Sequence, residues 1–454
     1  MLVLLLLATV MFYNPDTPVK FALIFIIIPT VIISYQLHTK AINSQISIYS
    51  FPTFWLVISI LLIFLIAPFF SQFLPDNSEV PFQDWNWQDT YGSTLILGSV
   101  ALFSVALGGL NLSSNSIALI KIDANKSSLS QIWIMFWITY GILGYVYWTQ
   151  TQGGITSIFL NRIQRQQIGI KFTNGYLYDS LLVVTGVLTA ILAHRRCQGK
   201  LKFGVIEFYI FLTMIPYVVR RDRSVFVYTL TVVVVIYSLT SKKRPRYLRY
   251  VIPIILLIPL LIVAPRLYRH SELPTFSAVK QSYSLQNLSD TFTGLDTAMV
   301  PALTILRSQM GKDIQYQYGK SYLGALAKPI PRVVWSSKPI EIDRQLNEQL
   351  FPKTSKQVGF SFSGISEPFV NFGIFGVIAF FFVMGKLNNS LANFTGGVNP
   401  RRVLTIAWVS GFMFILIRGN LTTDFQRLLF PLIPGLMVLR QFTKKIPQSH
   451  SYSD

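Results

Sequence analysis

The sequence predicts an all-α polytopic membrane protein of about twelve transmembrane helices, with a long, partly helical loop on its outer side. Three observations carry this prediction. Of the 454 residues, 52% are hydrophobic and only 13% are charged, against roughly 25% charged in a typical soluble domain. Apolar runs close to the ~20 residues needed to span a bilayer recur from end to end. One segment, 266–365, interrupts that rhythm and is too long for a plain connection.

In chain order, helices are predicted near 1–13, 18–35, 52–73, 90–109, 129–148, 176–194, 203–219, 224–240, 250–265, 366–385, 403–417 and 428–441. The first run, "MLVLLLLATVMFY", lacks a basic leader and a small-residue cleavage site, so it reads as a short first helix rather than a signal peptide. Three parts follow: 1–265 with nine helices, 266–365 as an outer loop or cap, and 366–454 with the last helices and a tail. No internal repeat is visible. Cys197 is the single cysteine, which excludes an intrachain disulfide and a thiol-based metal cluster.

Sidedness follows from Lys and Arg in the short loops. "RRCQGKLK" (195–202) and "SKKRPRYLR" (241–249) are the densest basic loops and are expected to be cytoplasmic. The loop "GKLNNSLANFTGGVNPRR" and the tail "RQFTKKIPQSHSYSD" agree with them. The acidic stretch "PDNSEVPFQDWNWQD" falls outside, where Trp85 and Trp87 suit the interface. Both termini are then cytoplasmic.

Parity puts the hairpin tip "RRDR", Arg220 to Arg223, on the outer side, against the positive-inside rule. Charges beside buried helix ends are costly and mark function. The other reading makes 203–240 a re-entrant segment with arginines as cytoplasmic anchors, but each flanking run reaches the lower length limit of a span. Arg162, Arg165, Arg418 and Arg427 fall on the same side, the last two in a short turn with Asp424 between them. The formal net charge is +20. Such an excess implies lipid head groups, phosphates or an acidic polymer as partners, and nucleic acid is not expected.

Within 266–365, "VPALTILRSQM" and "KPIEIDRQLNEQLF" repeat apolar residues at helical spacing, with Pro301 and Pro339 in first turns and Ile342, Leu346 and Leu350 on one face. "YLGALAKPIPRVVWSSKP" between them reads as interfacial, with Trp335 near head groups and Arg332 and Lys338 toward phosphate. Glu367 enters the next span at once: it is a candidate base or arginine partner, or else an acid favoured by the helix dipole.

There is no Gly-rich phosphate loop, no His/Cys metal spacing and no serine elbow. Glu341 and Asp343 resemble a metal pair but read better as a solvated helix face. His270 is the only outer histidine. An arginine-rich outer cleft with few acids suits a lipid pyrophosphate, because guanidinium forks hold phosphate oxygens and neutralise a leaving pyrophosphate without a metal.

The order of these features resembles the Wzy-type polysaccharide polymerases, which join O-antigen or oligosaccharide repeat units. The matching stretches run from Gly153 to Arg162, Arg220 to Arg223, Gly319 to Lys338, Ser363 to Gly373 and Arg418 to Asp424. The resemblance covers most of the chain by topology and is most specific over 319–373. It implies a GT-C-like membrane glycosyltransferase of the bacterial inner membrane, working on the periplasmic side. Its donor and acceptor would be undecaprenyl-pyrophosphate-linked oligosaccharides, without nucleotide sugar, metal or other cofactor, and a chain-length regulator would be a possible partner. Related O-antigen ligases use a histidine late in the long loop, whereas His270 stands near its start. On this reading Arg220, Arg221, Arg223 and Arg418 bind the donor pyrophosphate. Glu367 or His270 takes the acceptor proton, and Arg332 and Arg344 position the acceptor pyrophosphate or the cap. The rival from another class is a lipid-linked oligosaccharide or anion transporter, which would show mid-span charges and a repeat between halves.

Overall fold

The computed structural model describes residues 17–44, 47–66, 68, 88–110, 127–151, 175–199, 204–219, 223–241, 299–327, 335, 341–352, 361–392, 399–419 and 421–441. The helices are α1 (Thr17–Ser44), α2 (Pro52–Leu61, continued by a π turn, Leu62–Ile66), α3 (Gln88–Gly108), α4 (Gln131–Thr151), α5 (Ser180–Cys197), α6 (Val205–Val219) and α7 (Arg223–Thr240). The cap contributes α8 (Met299–Gln309), α9 (Lys320–Ala327) and α10 (Ile342–Leu350), and α11 (Ser366–Ala392), α12 (Pro400–Leu416) and α13 (Leu421–Val438) follow. A short ribbon joins β1 (Ser127–Leu129) to β2 (Leu439–Gln441), antiparallel, with Ser128 opposite Arg440.

Two predicted spans, 1–13 and 250–265, lie outside the described residues, and a helix stands at each of the others. Among the described residues, five helices are long and apolar enough to cross a membrane: α1, α3, α4, α5 and α11. Three shorter apolar helices cover Pro52–Ile66, Val205–Tyr217 and Ser224–Thr240. In the cap, α8 takes its predicted place; α10 begins at Ile342 after its N-cap Glu341, so Pro339 is not in its first turn, and Ile342, Leu346 and Leu350 are all buried. The stretch read as interfacial instead begins as α9.

The core is organised around α5, which packs against α4, α6, α7, α12 and α13. Small residues set these distances. At Gly186 an added Cβ would lie 2.0 Å from the Pro431 carbonyl of α13. The polar groups of α5 are satisfied internally, as a bilayer requires. The Thr189 hydroxyl donates to the Gly186 carbonyl at 2.9 Å and accepts the Trp408 indole N–H at 3.1 Å. Trp408 in turn meets Tyr228 edge to face, with ring centroids 5.0 Å apart.

The described helices meet at two distinct ends. At one end, Arg196 sits 3.9 Å over the Tyr237 ring, Tyr237 donates to Glu207, and Lys40 donates to Asn389. At the same end Arg401 donates to the Leu439 carbonyl at 2.7 Å, closing α13 where the ribbon begins. All of these residues belong to helix ends predicted to be cytoplasmic. The opposite end carries the cap helices and the starts of α7, α11 and α13; it is called the cap end below.

Candidate functional site at the cap end

The site is built around the turn that enters α11. Ser363 has a left-handed backbone, φ 72, and is buried, an uncommon conformation for a side-chain-bearing residue and a frequent mark of functional segments. Gly364 follows, where a Cβ would meet the Leu416 carbonyl at 1.9 Å. That close approach lets the Gly364 N–H donate to the Ile417 carbonyl at 2.8 Å. Beside it, the Ser361 hydroxyl donates to the Arg418 carbonyl. The segment before α11 is thereby laced to the turn between α12 and α13, and Arg418 is held in that turn, half-buried.

Glu367 completes the lacing. It is almost fully buried, and its Oε2 accepts the Leu421 backbone N–H at 3.0 Å, satisfying one of the orphan donors at the start of α13. Its other oxygen, Oε1, is buried and makes no well-formed hydrogen bond among the described residues, with the Ser321 hydroxyl beside the carboxylate. One turn on, Asn371 is fully buried and all its groups are engaged. Its amide N–H groups donate to the Ser321 hydroxyl at 2.6 Å and the Glu367 carbonyl at 2.8 Å, and its oxygen accepts the Gly319 N–H at 2.7 Å.

This network needs a broken helix. The backbone of α11 leaves helical geometry at Phe372 and Gly373, the latter at φ 62, a conformation suited to glycine. The Val370 carbonyl, lost to the helix at that break, accepts the Gln317 N–H at 3.0 Å. The cap loop 315–321 thus docks into the break, consistent with irregular backbone at membrane depth being buried in protein. Tyr322 lies beside it: burial, and then the Glu367 charge, push its phenol well above the ordinary value.

The start of α7 reaches the same end. Arg427 Nη1 donates to the Ser224 hydroxyl at 2.9 Å, joining α13 to the residue after Arg223. Gln426 donates to Asp179 Oδ2 at 3.3 Å, joining α13 to the start of α5. Asp424 is buried, and Gly419 makes room for it: a Cβ there would lie 2.0 Å from the carboxylate. Asp424 and Arg427 were expected in a turn, but they occupy the first two turns of α13, whose polar start is stabilised by pairing with α5 and α7.

Of the predicted site residues, Glu367, Arg418 and the helix-initial Arg223 are brought to one end by these contacts. Arg344 is not tied to them: it is exposed on α10 and pairs with Glu348 one turn along, at 2.9 Å. Arg220, Arg221, His270 and Arg332 lie outside the described residues. Asn371, Ser321 and Tyr322 were given no role by sequence reasoning, although all three lie in its most specific stretch. Among the described residues, no three His, Cys, Asp or Glu side chains are grouped to hold a metal ion.

A carboxylate with one oxygen fixed by a backbone N–H and the other unengaged can orient a hydroxyl and accept its proton. Arginines at the same end can bind anionic groups. The family model described as O-antigen polysaccharide polymerase Wzy matches residues 1–448. No curated protein and no solved structure matches the chain.

Proposed function

The chain belongs to the O-antigen polysaccharide polymerase Wzy family, and from that premise we propose that it polymerises undecaprenyl-pyrophosphate-linked repeat units at its cap end. That end faces the periplasm in a bacterial inner membrane, and the fold is GT-C-like. An acceptor sugar hydroxyl attacks the anomeric carbon of the donor glycan from the face opposite the pyrophosphate. The new glycosidic C–O bond forms as the bond to pyrophosphate breaks, with inversion. Undecaprenyl pyrophosphate leaves with the electron pair, and the hydroxyl proton passes to Glu367 Oε1, or to His270. Arg220, Arg221, Arg223 and Arg418 stabilise the leaving pyrophosphate without a metal ion. Arg332 and Arg344 position the acceptor or the cap. A chain-length regulator is a partner consistent with this role.

The observation that supports this reading is Glu367: buried, capping α13 through one oxygen, its other oxygen without a well-formed hydrogen bond beside the Ser321 hydroxyl, and laced to the turn that holds Arg418.

The hairpin-tip arginines test it. Lys keeps the charge but loses the planar fork. A charge-assisted hydrogen bond is worth roughly 1.5–3 kcal/mol, or about tenfold to a few hundredfold in rate. At least one of Arg220, Arg221 and Arg223 should lose most activity as Lys and nearly all as Ala, with normal membrane insertion. Asp222→Asn should be milder. Full activity in all three Ala variants would overturn the pyrophosphate clamp.

A further inference from the structure

Arg307 is a cation at the cap end that the proposed chemistry does not use. It stands in the last turn of α8, half-buried, and its Nη1 donates to the Ser93 hydroxyl on α3. Among the described residues no carboxylate lies within ion-pair reach of it. Burial pulls its pKa below the ordinary guanidinium value.

A basic group in a last helical turn is favoured by the helix dipole. An exposed side chain would serve that purpose equally well. Here the guanidinium is instead drawn beside a neutral hydroxyl, which leaves a desolvation cost that no opposite charge offsets. Phosphate oxygens would offset it, because the remaining N–H groups form a fork that fits them. The depth is appropriate as well. The apolar span of α3 begins at Thr90, so Ser93 lies within a turn of the membrane boundary, where lipid phosphates sit.

The packing places this cation on different helices from Arg223 and Arg427. Helix α8 rests on α3 and on the π turn Leu62–Ile66, whereas Arg223 and Arg427 belong to α7 and α13, which pack around α5 and α12.

We propose that Arg307, held by Ser93, forms a second site for a lipid-borne pyrophosphate, separate from the one near α7 and α13. The inference rests on the polymerase reading. Joining two lipid-linked units requires two pyrophosphates at once: one departs with the donor lipid and one stays on the acceptor. Arg307 holds the acceptor's.

Equilibrium binding tests this without turnover. Full-length protein in phosphatidylcholine nanodiscs is titrated with a short-chain polyprenyl pyrophosphate. Two sites per chain are expected. Arg307→Gln should leave one. Arg307→Lys, which keeps the charge and the fold, should retain both but weaken one by roughly tenfold or more. The titration is repeated in phosphatidylglycerol nanodiscs. A pyrophosphate site persists there, whereas a site for ordinary anionic head groups fills with phosphatidylglycerol and disappears from the count. A single site in the wild-type chain, two undiminished sites in both Arg307 variants, or loss of the second site in phosphatidylglycerol would each overturn the proposal. A wild-type chain that binds two pyrophosphates and makes no polymer would instead sink the polymerase reading and leave the two-site count standing.

Discussion

Glu367 and Leu421 tie together the starts of α11 and α13: the Leu421 N–H donates to Glu367 Oε2 at 3.0 Å, across 54 residues of sequence. The two oxygens of one carboxylate thus have different work. Oε2 caps α13, and in the proposed mechanism Oε1, which makes no well-formed hydrogen bond among the described residues, takes the acceptor proton.

Substitution separates those two tasks. Glu367→Gln can keep the cap through its amide oxygen but cannot take a proton. Its yield and thermal stability should stay close to the parent, and polymer formation should fall by about 10²–10⁴. Glu367→Ala also loses the cap, a further cost of about 1–3 kcal/mol in stability. Polymer formed at the parent rate by the Gln variant would reduce Glu367 to a cap and shift the base to His270.

Asn371 is predicted to hold the cap loop to the bundle. Asn371→Ala removes the partners of Gly319 and Ser321 and should destabilise the protein by roughly 1–3 kcal/mol. Limited proteolysis should then cut near 315–321 sooner than in the parent, and Ser321→Ala should show a weaker form of the same effect. Equal cleavage in all three proteins would mean that the loop is held elsewhere.

Sidedness can be read chemically. Lys312 is exposed at the cap end, and Ser390 is exposed near the opposite end of α11. In a Cys197→Ser background, Lys312→Cys should react with an impermeant thiol reagent added to intact spheroplasts, and Ser390→Cys only after lysis. The reverse pattern would put the cap in the cytoplasm and remove the proposed site from the periplasm.

Much of the bundle is legible in the sequence, because apolar runs of spanning length leave few alternatives to helices. Ends are less legible. The apolar run of α13 begins only after Arg427, while Gln426 and Arg427 in its polar start are stabilised by Asp179 and Ser224, far away in the chain. Helix α9 is obscured in the sequence by the Pro-rich, aromatic residues that follow it. The break at Gly373 depends on a docked loop, which no local pattern announces. In the site, Glu367 and Arg418 stood out as charges at membrane boundaries. Asn371 and Ser321 are neutral and common, and Arg307 is one basic residue among many, so only packing shows what each touches.

The central claim is that this chain elongates a lipid-linked glycan by itself and without a metal. The most direct measurement is incubation of the purified protein with one labelled lipid-linked repeat unit in excess EDTA, with products resolved by length. The account predicts a ladder of products spaced by one repeat, undiminished by the chelator. A single transfer product, an unchanged substrate, or a ladder that disappears with EDTA and returns with a divalent ion would contradict it.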